Sequence, residues 1–215
     1  MRPDKSAVIA RIKSDRAIAI LRTATAEQAL AAAEAVIAGG FRIVEITYGV
    51  PNAPDVIAQL VSRNAPELIF GAGTVMTAKQ ANDAIDAGAQ FLVSPSVTTE
   101  MIDTARERNV VSIPGAFTPT EICAAYSLGA DLVKLFPAVQ FGPAYLNAIR
   151  GPLPQIPIVP TAGVTITNVA EWFNAGAVAV GAAGGVFDKA AIESGNFDRV
   201  RETAGDFIAA VQRAR

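Results

Sequence analysis

The chain has 215 residues and a formal charge of -2; 51% of its residues are hydrophobic and 18% charged. That length accommodates one large domain with a full core, and a nearly balanced charge without a basic block argues against nucleic acid as a partner. The absence of histidine and the presence of a single cysteine, Cys123, remove the usual zinc and copper ligand sets and any internal disulfide, so acid and base chemistry falls to Glu, Asp, Lys, Tyr or water.

The N-terminal stretch is charged and lacks the apolar run of a signal peptide, and no later segment reaches about 18 apolar residues. A soluble, cytoplasmic protein with no membrane partner is therefore expected, with Cys123 a small core residue on a helix.

Short β-type runs alternate with Ala-rich amphipathic segments. A helix over 6–14 leads to strand one over 17–21 and a helix over 25–38, where Thr25 and Gln28 form a capping pair and Gly39 and Gly40 stop the helix. Strand two covers 42–47 and its helix 53–64, after Gly49 and Pro51; strand three covers 68–72 and its helix 77–87, closed by Gly88. Strand four is 91–94, followed by a helix over 98–108; strand five is 110–113, followed by a helix over 118–128 that ends at Gly129. Strand six is 132–135 with a helix over 144–149, and strand seven is 158–161 with a helix over 167–174 that ends at Gly176. Strand eight is 179–181, and the last amphipathic helix runs over 197–213.

This pattern predicts an α/β fold, a single-domain (β/α)8 TIM barrel with an N-terminal helix, over 1–215. A doubly wound open sheet of eight strands is the alternative. The repeats Gly88-Ala89, Gly129-Ala130 and Gly176-Ala177 point to one αβ turn used three times, which favours the barrel.

In a barrel, function collects where the strands end at their C-terminal side. Two charges stand inside otherwise apolar strand sequence: Glu45 in RIVEIT and Lys134 in DLVKLFPA. A lysine in such a place finds a carboxylate or loses its proton, and a neutral buried amine is a nucleophile for carbonyl carbon. A structural lysine snorkelling outward at a strand end is the bland alternative, and a structural ion pair between Lys134 and Glu45 is another. Thr74 and Arg22, at the ends of strands three and one, are able to hold a carboxylate, although either also fits a surface cap or a solvated side chain. The loops after strands seven and eight are rich in glycine and alanine, in Thr161-Ala162-Gly163 and Gly181-Ala182-Ala183-Gly184-Gly185. They suit close backbone approach to an anion, or simply tight turns.

These residues form six motifs in order: VEIT around Glu45, GAGTV at 71–75, SPS at 94–96, IPGAFTPTE at 113–121, VKLFPA at 133–138 and PTAGV at 160–164. From Ile18 onward the chain resembles the class I aldolases that cleave 2-keto-3-deoxy-6-phosphogluconate (KDPG), a family that also includes 4-hydroxy-2-oxoglutarate (KHG) aldolases. The resemblance implies that Lys134 is the Schiff-base lysine and Glu45 the general acid and base, acting partly through water. It places the pyruvate carboxylate at Thr74, gives Pro95, Pro114 and Phe136 the apolar pocket and Thr161 the hydroxyl at the cleaved bond, and puts phosphate at the backbone of Ala162, Gly163 and Gly184. A keto-acid substrate, a homotrimer, and no metal or organic cofactor are implied with it.

Two departures stand out. The family's T-L-R-T stretch reads Thr47-Tyr48-Gly49-Val50, without the arginine that binds the carboxylate, and an A-[IV]-L-R strand end moves that role to Arg22. The family's G-x-G-S reads Gly181-Ala182-Ala183-Gly184, without the serine hydroxyl, which strengthens the reading of an unphosphorylated substrate. The rival readings are a phosphate-binding isomerase barrel, a metal-dependent aldolase, and an oligomeric barrel that has lost catalysis.

Overall fold

Every strand pairing among the described residues is parallel, as strand-helix-strand crossovers require. The computed structural model describes residues 4–63, 65–184 and 186–214; within it α1 (Lys5–Asp15) precedes β1 (Ala17–Leu21). The first half continues through α2 (Ala26–Ala38), β2 (Ile43–Thr47), α3 (Ala53–Val61), β3 (Ile69–Gly73), α4 (Ala78–Asp86), β4 (Phe91–Val93) and α5 (Thr99–Glu107). The second half comprises β5 (Val111–Ile113), β6 (Gly115–Ala116), α6 (Pro119–Ser127), β7 (Val133–Leu135), α7 (Gly142–Arg150), β8 (Ile158–Pro160), α8 (Val169–Asn174), β9 (Val180–Ala182), α9 (Lys189–Glu193) and α10 (Phe197–Arg213).

The strands run in the order β5-β4-β3-β2-β1-β9, with β6-β7-β8 as a second run. Two seams join the runs into a ring: β5 leads through Pro114 into β6, and Thr161 bridges Gly181 in parallel beside β8 and β9. Proline has no N–H for the ladder, so β5 and β6 are one barrel strand interrupted at Pro114. The fold is the expected eight-stranded α/β barrel.

Side chains alternate across the strands with period two. One set, including Ile18, Ile43, Ile69, Phe91, Val111, Leu132 and Val159, fills the barrel, and Val8 and Ile12 of α1 complete that cluster from the N-terminal end. Burying Ile12 contributes about 2 kcal/mol, and a Lys5–Asp131 ion pair at 2.9 Å holds α1 to the segment entering β7. The other set, including Ala19, Val44, Ile46, Ala72, Leu92 and Val133, packs under the surrounding helices.

The three Gly-Ala repeats do make one turn. Gly88, Gly129 and Gly176 adopt φ of 101°, 92° and 96°, a region that side chains avoid. The following alanine N–H returns to the last helical turn each time, Ala89 to Ala84 O at 2.9 Å, Ala130 to Ala125 O at 3.1 Å and Ala177 to Trp172 O at 3.0 Å.

α9 and a 3-10 turn at Ala138–Gln140 were not foreseen, α7 starts two residues before its predicted position at 144, and α8 begins at Val169 rather than at 167. Asn64, the predicted end of the third helix, and Gly185 of the last glycine-rich loop lie outside the described residues. Cys123 is exposed, not part of the core. α6 buries Ile122 and Ala125, three residues apart on one face, and Cys123 is turned about 100° away from Ile122. No helix among the described residues is long and apolar enough to cross a membrane.

Candidate active site

Alternation decides where the two strand charges point. In β2, Ile43 faces into the barrel and Glu45, two residues on, does the same; in β7, Lys134 follows Leu132 in the same way. The strands β2 and β7 are four places apart in the ring of eight, so the two side chains converge from opposite walls. Both border a cavity of about 580 Å³ at the C-terminal ends of the strands. Both also border a void of about 10 Å³, the size of one water molecule, walled by Ile18, Val93, Ile113 and Val159.

Glu45 is 2% exposed and Lys134 8%. They do not form the structural ion pair that was the alternative to a chemical role. Lys5, Lys79 and Lys189 hold carboxylates at 2.9, 2.6 and 3.3 Å, whereas Lys134 has no ion pair among the described residues, and its Nζ lies 4.9 Å from the centre of the Phe136 ring. The Oε1 atom of Glu45 is enclosed and has no hydrogen-bond partner. Burial pushes the Glu45 carboxyl above the ordinary glutamate range, and the positive charges of Lys134 and then Arg22 pull the other way without cancelling it.

The missing side chains around Glu45 are part of the site. A Cβ on Gly73 would stand 2.6 Å from the Glu45 carboxyl carbon, and one on Gly181 would press on Thr161 and lie 2.8 Å from Ile20 Cδ1. Thr74 and Ala162 follow two strand ends in left-handed backbone, at φ 60° and 68°. A β-branched residue there is strained, and such strain clusters at functional sites. Both residues line the cavity.

Of the other residues singled out from sequence, Arg22, Pro95, Phe136, Thr161 and Gly184 also line the cavity. Arg22 is exposed at the rim. Its aliphatic stem lies over Gly49, where a Cβ would be 3.5 Å from Arg22 Cγ, so it covers the position at which the sequence lacks an arginine.

Pro114 and Gly163 do not line the cavity, contrary to expectation. Pro114 stands behind it, its carbonyl accepting the Lys134 N–H at 2.9 Å, and the Gly163 carbonyl accepts from Asn168 Nδ2 at 2.8 Å. The N–H groups of Gly163, Ala183 and Gly184 donate to no carbonyl among the described residues, so this rim carries donors without acceptors.

Thr47, Gln28, Phe187, Ile192 and Glu193 also border the cavity, although their sequence context did not single them out. Thr47 was within reach, because it shares the alternation of Ile43 and Glu45. The others come from helices and the loop before α9, which carry no strand periodicity. Together these groups give an enclosed amine, an enclosed carboxyl across from it whose hold on a proton is strengthened by burial, and cationic and N–H donors at the rim. Such a set is able to form an imine with a carbonyl compound and move a proton beside it.

Comparison with known proteins agrees with that chemistry. The family model described as "KDPG and KHG aldolase" matches residues 8–203. A 2-dehydro-3-deoxy-phosphogluconate aldolase of Pseudoalteromonas atlantica is 34% identical over 85% of this chain and 85% of its own length. A 2-dehydro-3-deoxy-6-phosphogalactonate aldolase of Escherichia coli is 33% identical over 92% of this chain and 95% of its own. Among solved structures, a KDPG aldolase from Legionella pneumophila "with pyruvate captured at low pH as a covalent carbinolamine intermediate" superposes with a TM-score of 0.83 at 30% identity, covering 92% of this chain and 96% of that one. With the family model spanning most of the barrel and relatives of this similarity along almost its whole length, the chain belongs to the KDPG and KHG aldolase family of carbon–carbon lyases.

Proposed function

We propose that the protein is a class I aldolase that reversibly cleaves 2-dehydro-3-deoxy-6-phosphogluconate to pyruvate and glyceraldehyde 3-phosphate, and that it also cleaves 4-hydroxy-2-oxoglutarate to pyruvate and glyoxylate. The observation that carries this reading is the opposition of Lys134 and Glu45 in one enclosed cavity without an ion pair between them.

In this reading Lys134 Nζ, in its neutral form, attacks the C2 ketone, and the protonated Glu45 carboxyl gives its proton to the C2 oxygen so that it leaves as water. The resulting protonated imine draws electrons from the C3–C4 bond, while Glu45 is left as the carboxylate. Glu45 takes the proton of the C4 hydroxyl, directly or through one water. The C3–C4 bond breaks, the aldehyde leaves, and the electron pair stays on the pyruvate enamine. Glu45 returns a proton to C3, and hydrolysis frees pyruvate and Lys134. Burial of Glu45 favours its protonated form, which suits a group that must give the proton back.

Thr74, held in strained backbone, and Arg22, lying over Gly49, take the pyruvate carboxylate. Pro95 and Phe136 form the apolar wall, Thr161 meets the C4 hydroxyl, and the N–H groups at Ala162, Gly163 and Gly184 face the phosphate. The absence of a serine hydroxyl at Gly184 is what supports the shorter, unphosphorylated substrate as well.

One catalytic domain over 1–215, working in the cytoplasm as a homotrimer, belongs to the same proposal. The self-association is supported by exposed Phe141, which stacks on half-buried Phe117 and packs against half-buried Tyr145, with centroids 5.5 and 5.0 Å apart. The exposed thiol of Cys123 suits a reducing compartment.

The deciding experiment is mass spectrometry after incubation with pyruvate and borohydride. A reduced pyruvyl adduct on the peptide bearing Lys134, absent from Lys134→Met, is expected. Turnover surviving in Lys134→Met, or no adduct from folded parent protein, rejects the imine and moves the reading to an isomerase or an inactive barrel. Parallel kinetics with the two substrates then rank them.

A further inference from the structure

Five charged side chains border the cavity: Arg22, Glu45, Lys134, Lys189 and Glu193. The aldolase reading gives roles to the first three, at the pyruvate carboxylate, the proton and the imine. Lys189 and Glu193 are left without one, and both belong to α9.

The loop after β9 fixes where α9 stands. In it the N–H groups of Val186 and Phe187 both donate to the Ala183 carbonyl, at 2.8 and 2.9 Å, and the Asp188 side chain caps the helix through the Ala190 N–H at 2.9 Å. This tight turn folds the chain back, so the first turn of α9 stays close to Ala183 and Gly184. Those two residues carry rim N–H groups that meet no carbonyl among the described residues. Phe187 and Ile192 are buried and anchor the segment, the first packing edge-on against Phe41 with centroids 5.6 Å apart. The helix is therefore held while its two charged side chains stay free to move at the mouth.

Three helices place a basic residue four positions before an acidic one: Arg11–Asp15 on α1 at 3.0 Å, Lys79–Asp83 on α4 at 2.6 Å and Lys189–Glu193 on α9 at 3.3 Å. The third is the longest, and of the three it alone borders the cavity. Its side chains are 86% and 53% exposed, so the pair contributes little and its ammonium is readily given up to a stronger anion.

A phosphate is such an anion. The rim N–H groups of Gly163, Ala183 and Gly184 are neutral donors, and the chain has no serine hydroxyl at Gly184. A charge-assisted hydrogen bond is about twice as strong as a neutral one. With Arg22 and Lys134 committed to the pyruvate half, Lys189 is the remaining cation of the cavity wall.

Resting on the aldolase reading above, we propose that Lys189 is a specificity-determining residue whose ammonium leaves Glu193 to bind the phosphate of a phosphorylated aldehyde half, while Glu193 opposes that binding.

The test is aldol addition of pyruvate to glyceraldehyde 3-phosphate and to glyceraldehyde, which differ only in the phosphate, in the parent and in Lys189→Met, Lys189→Arg and Glu193→Gln. The ratio of the two kcat/KM values, phosphorylated over unphosphorylated, falls about ten-fold in Lys189→Met and is largely kept in Lys189→Arg. It rises about two-fold in Glu193→Gln. Added sodium chloride lowers the parent's ratio more steeply than that of Lys189→Met, because salt screens an exposed charge contact. The borohydride-trapped pyruvate adduct on Lys134 identifies variants that are folded and able to form the imine. An unchanged ratio in adduct-forming Lys189→Met overturns the proposal, as does an equal loss on both aldehydes or a fall in Glu193→Gln. A parent without the adduct removes the aldolase reading and this inference together, whereas an adduct with an unchanged ratio removes only the role of Lys189.

Discussion

Replacing Gly73 with alanine tests whether the position of the Glu45 carboxyl carries the reaction. Gly73 is not among the glycines in left-handed backbone, so alanine meets no conformational penalty, and the stiffer unfolded chain favours the variant by about 0.4–1 kcal/mol. The added Cβ would overlap Glu45 Oε1 and lie 2.6 Å from Cδ and 2.9 Å from Cγ, where ordinary contact begins at 3.4 Å. β3 is held on both sides, Thr47 opposite Gly73 in β2 and Ala72 opposite Leu92 in β4, so the side chain of Glu45 yields rather than the strand. Its carboxyl carbon moves by at least about 0.8 Å, the difference between 2.6 and 3.4 Å, Oε1 moves further because it meets the Cβ most closely, and no hydrogen bond at Oε1 resists the shift.

A misplacement near 1 Å costs on the order of 10²-fold in rate. We therefore expect kcat for cleavage of 2-dehydro-3-deoxy-6-phosphogluconate to fall on the order of 10²-fold, about 2.7 kcal/mol in the barrier. Pyruvate release, followed through coupled reduction by lactate dehydrogenase, reads the loss, and borohydride trapping on Lys134 shows that the imine still forms. A parental kcat in adduct-forming Gly73→Ala would refute Glu45 as the proton carrier or the rigidity assigned to β3.

Glu45→Gln is expected to change the pH dependence of stability. Burial makes the folded protein hold the Glu45 proton to higher pH than the unfolded chain does, so folded molecules bind more protons and stability drops as pH rises from the ordinary glutamate range through the raised value. Thermal melts at about pH 8 should favour Glu45→Gln over the parent, with the gap narrowing toward about pH 4; a constant gap would rule out burial as the cause. Thr74→Gly should relieve about 1–3 kcal/mol of left-handed strain less about 0.4–1 kcal/mol of chain entropy, raising Tm by about 2–4 °C for each kcal/mol gained, while kcat/KM falls. A lower Tm in that variant would show that Thr74 is not strained.

Much of the barrel was legible because its determinants are local. Thr25, Thr77 and Thr118 cap helices through atoms three residues away, and Gly88, Gly129 and Gly176 end them through a backbone angle that only the nearest neighbours influence. Lys134 and Glu45 stood out for the same reason, since a charge inside an apolar strand is anomalous whatever the strand packs against. α9 has five residues, too few to display a helical period, and β6 has two, so neither left a pattern to read.

The sequence by itself determined the alternation of strands and helices, the turns between them, and the two charged side chains that face inward. Only the tertiary structure decided that Glu45 and Lys134 oppose each other without pairing, that Pro114 stands behind the cavity, and that Gln28 enters it from a helix. Those facts depend on closure of the ring, which sets distances between residues far apart in the chain, and no local preference specifies such distances.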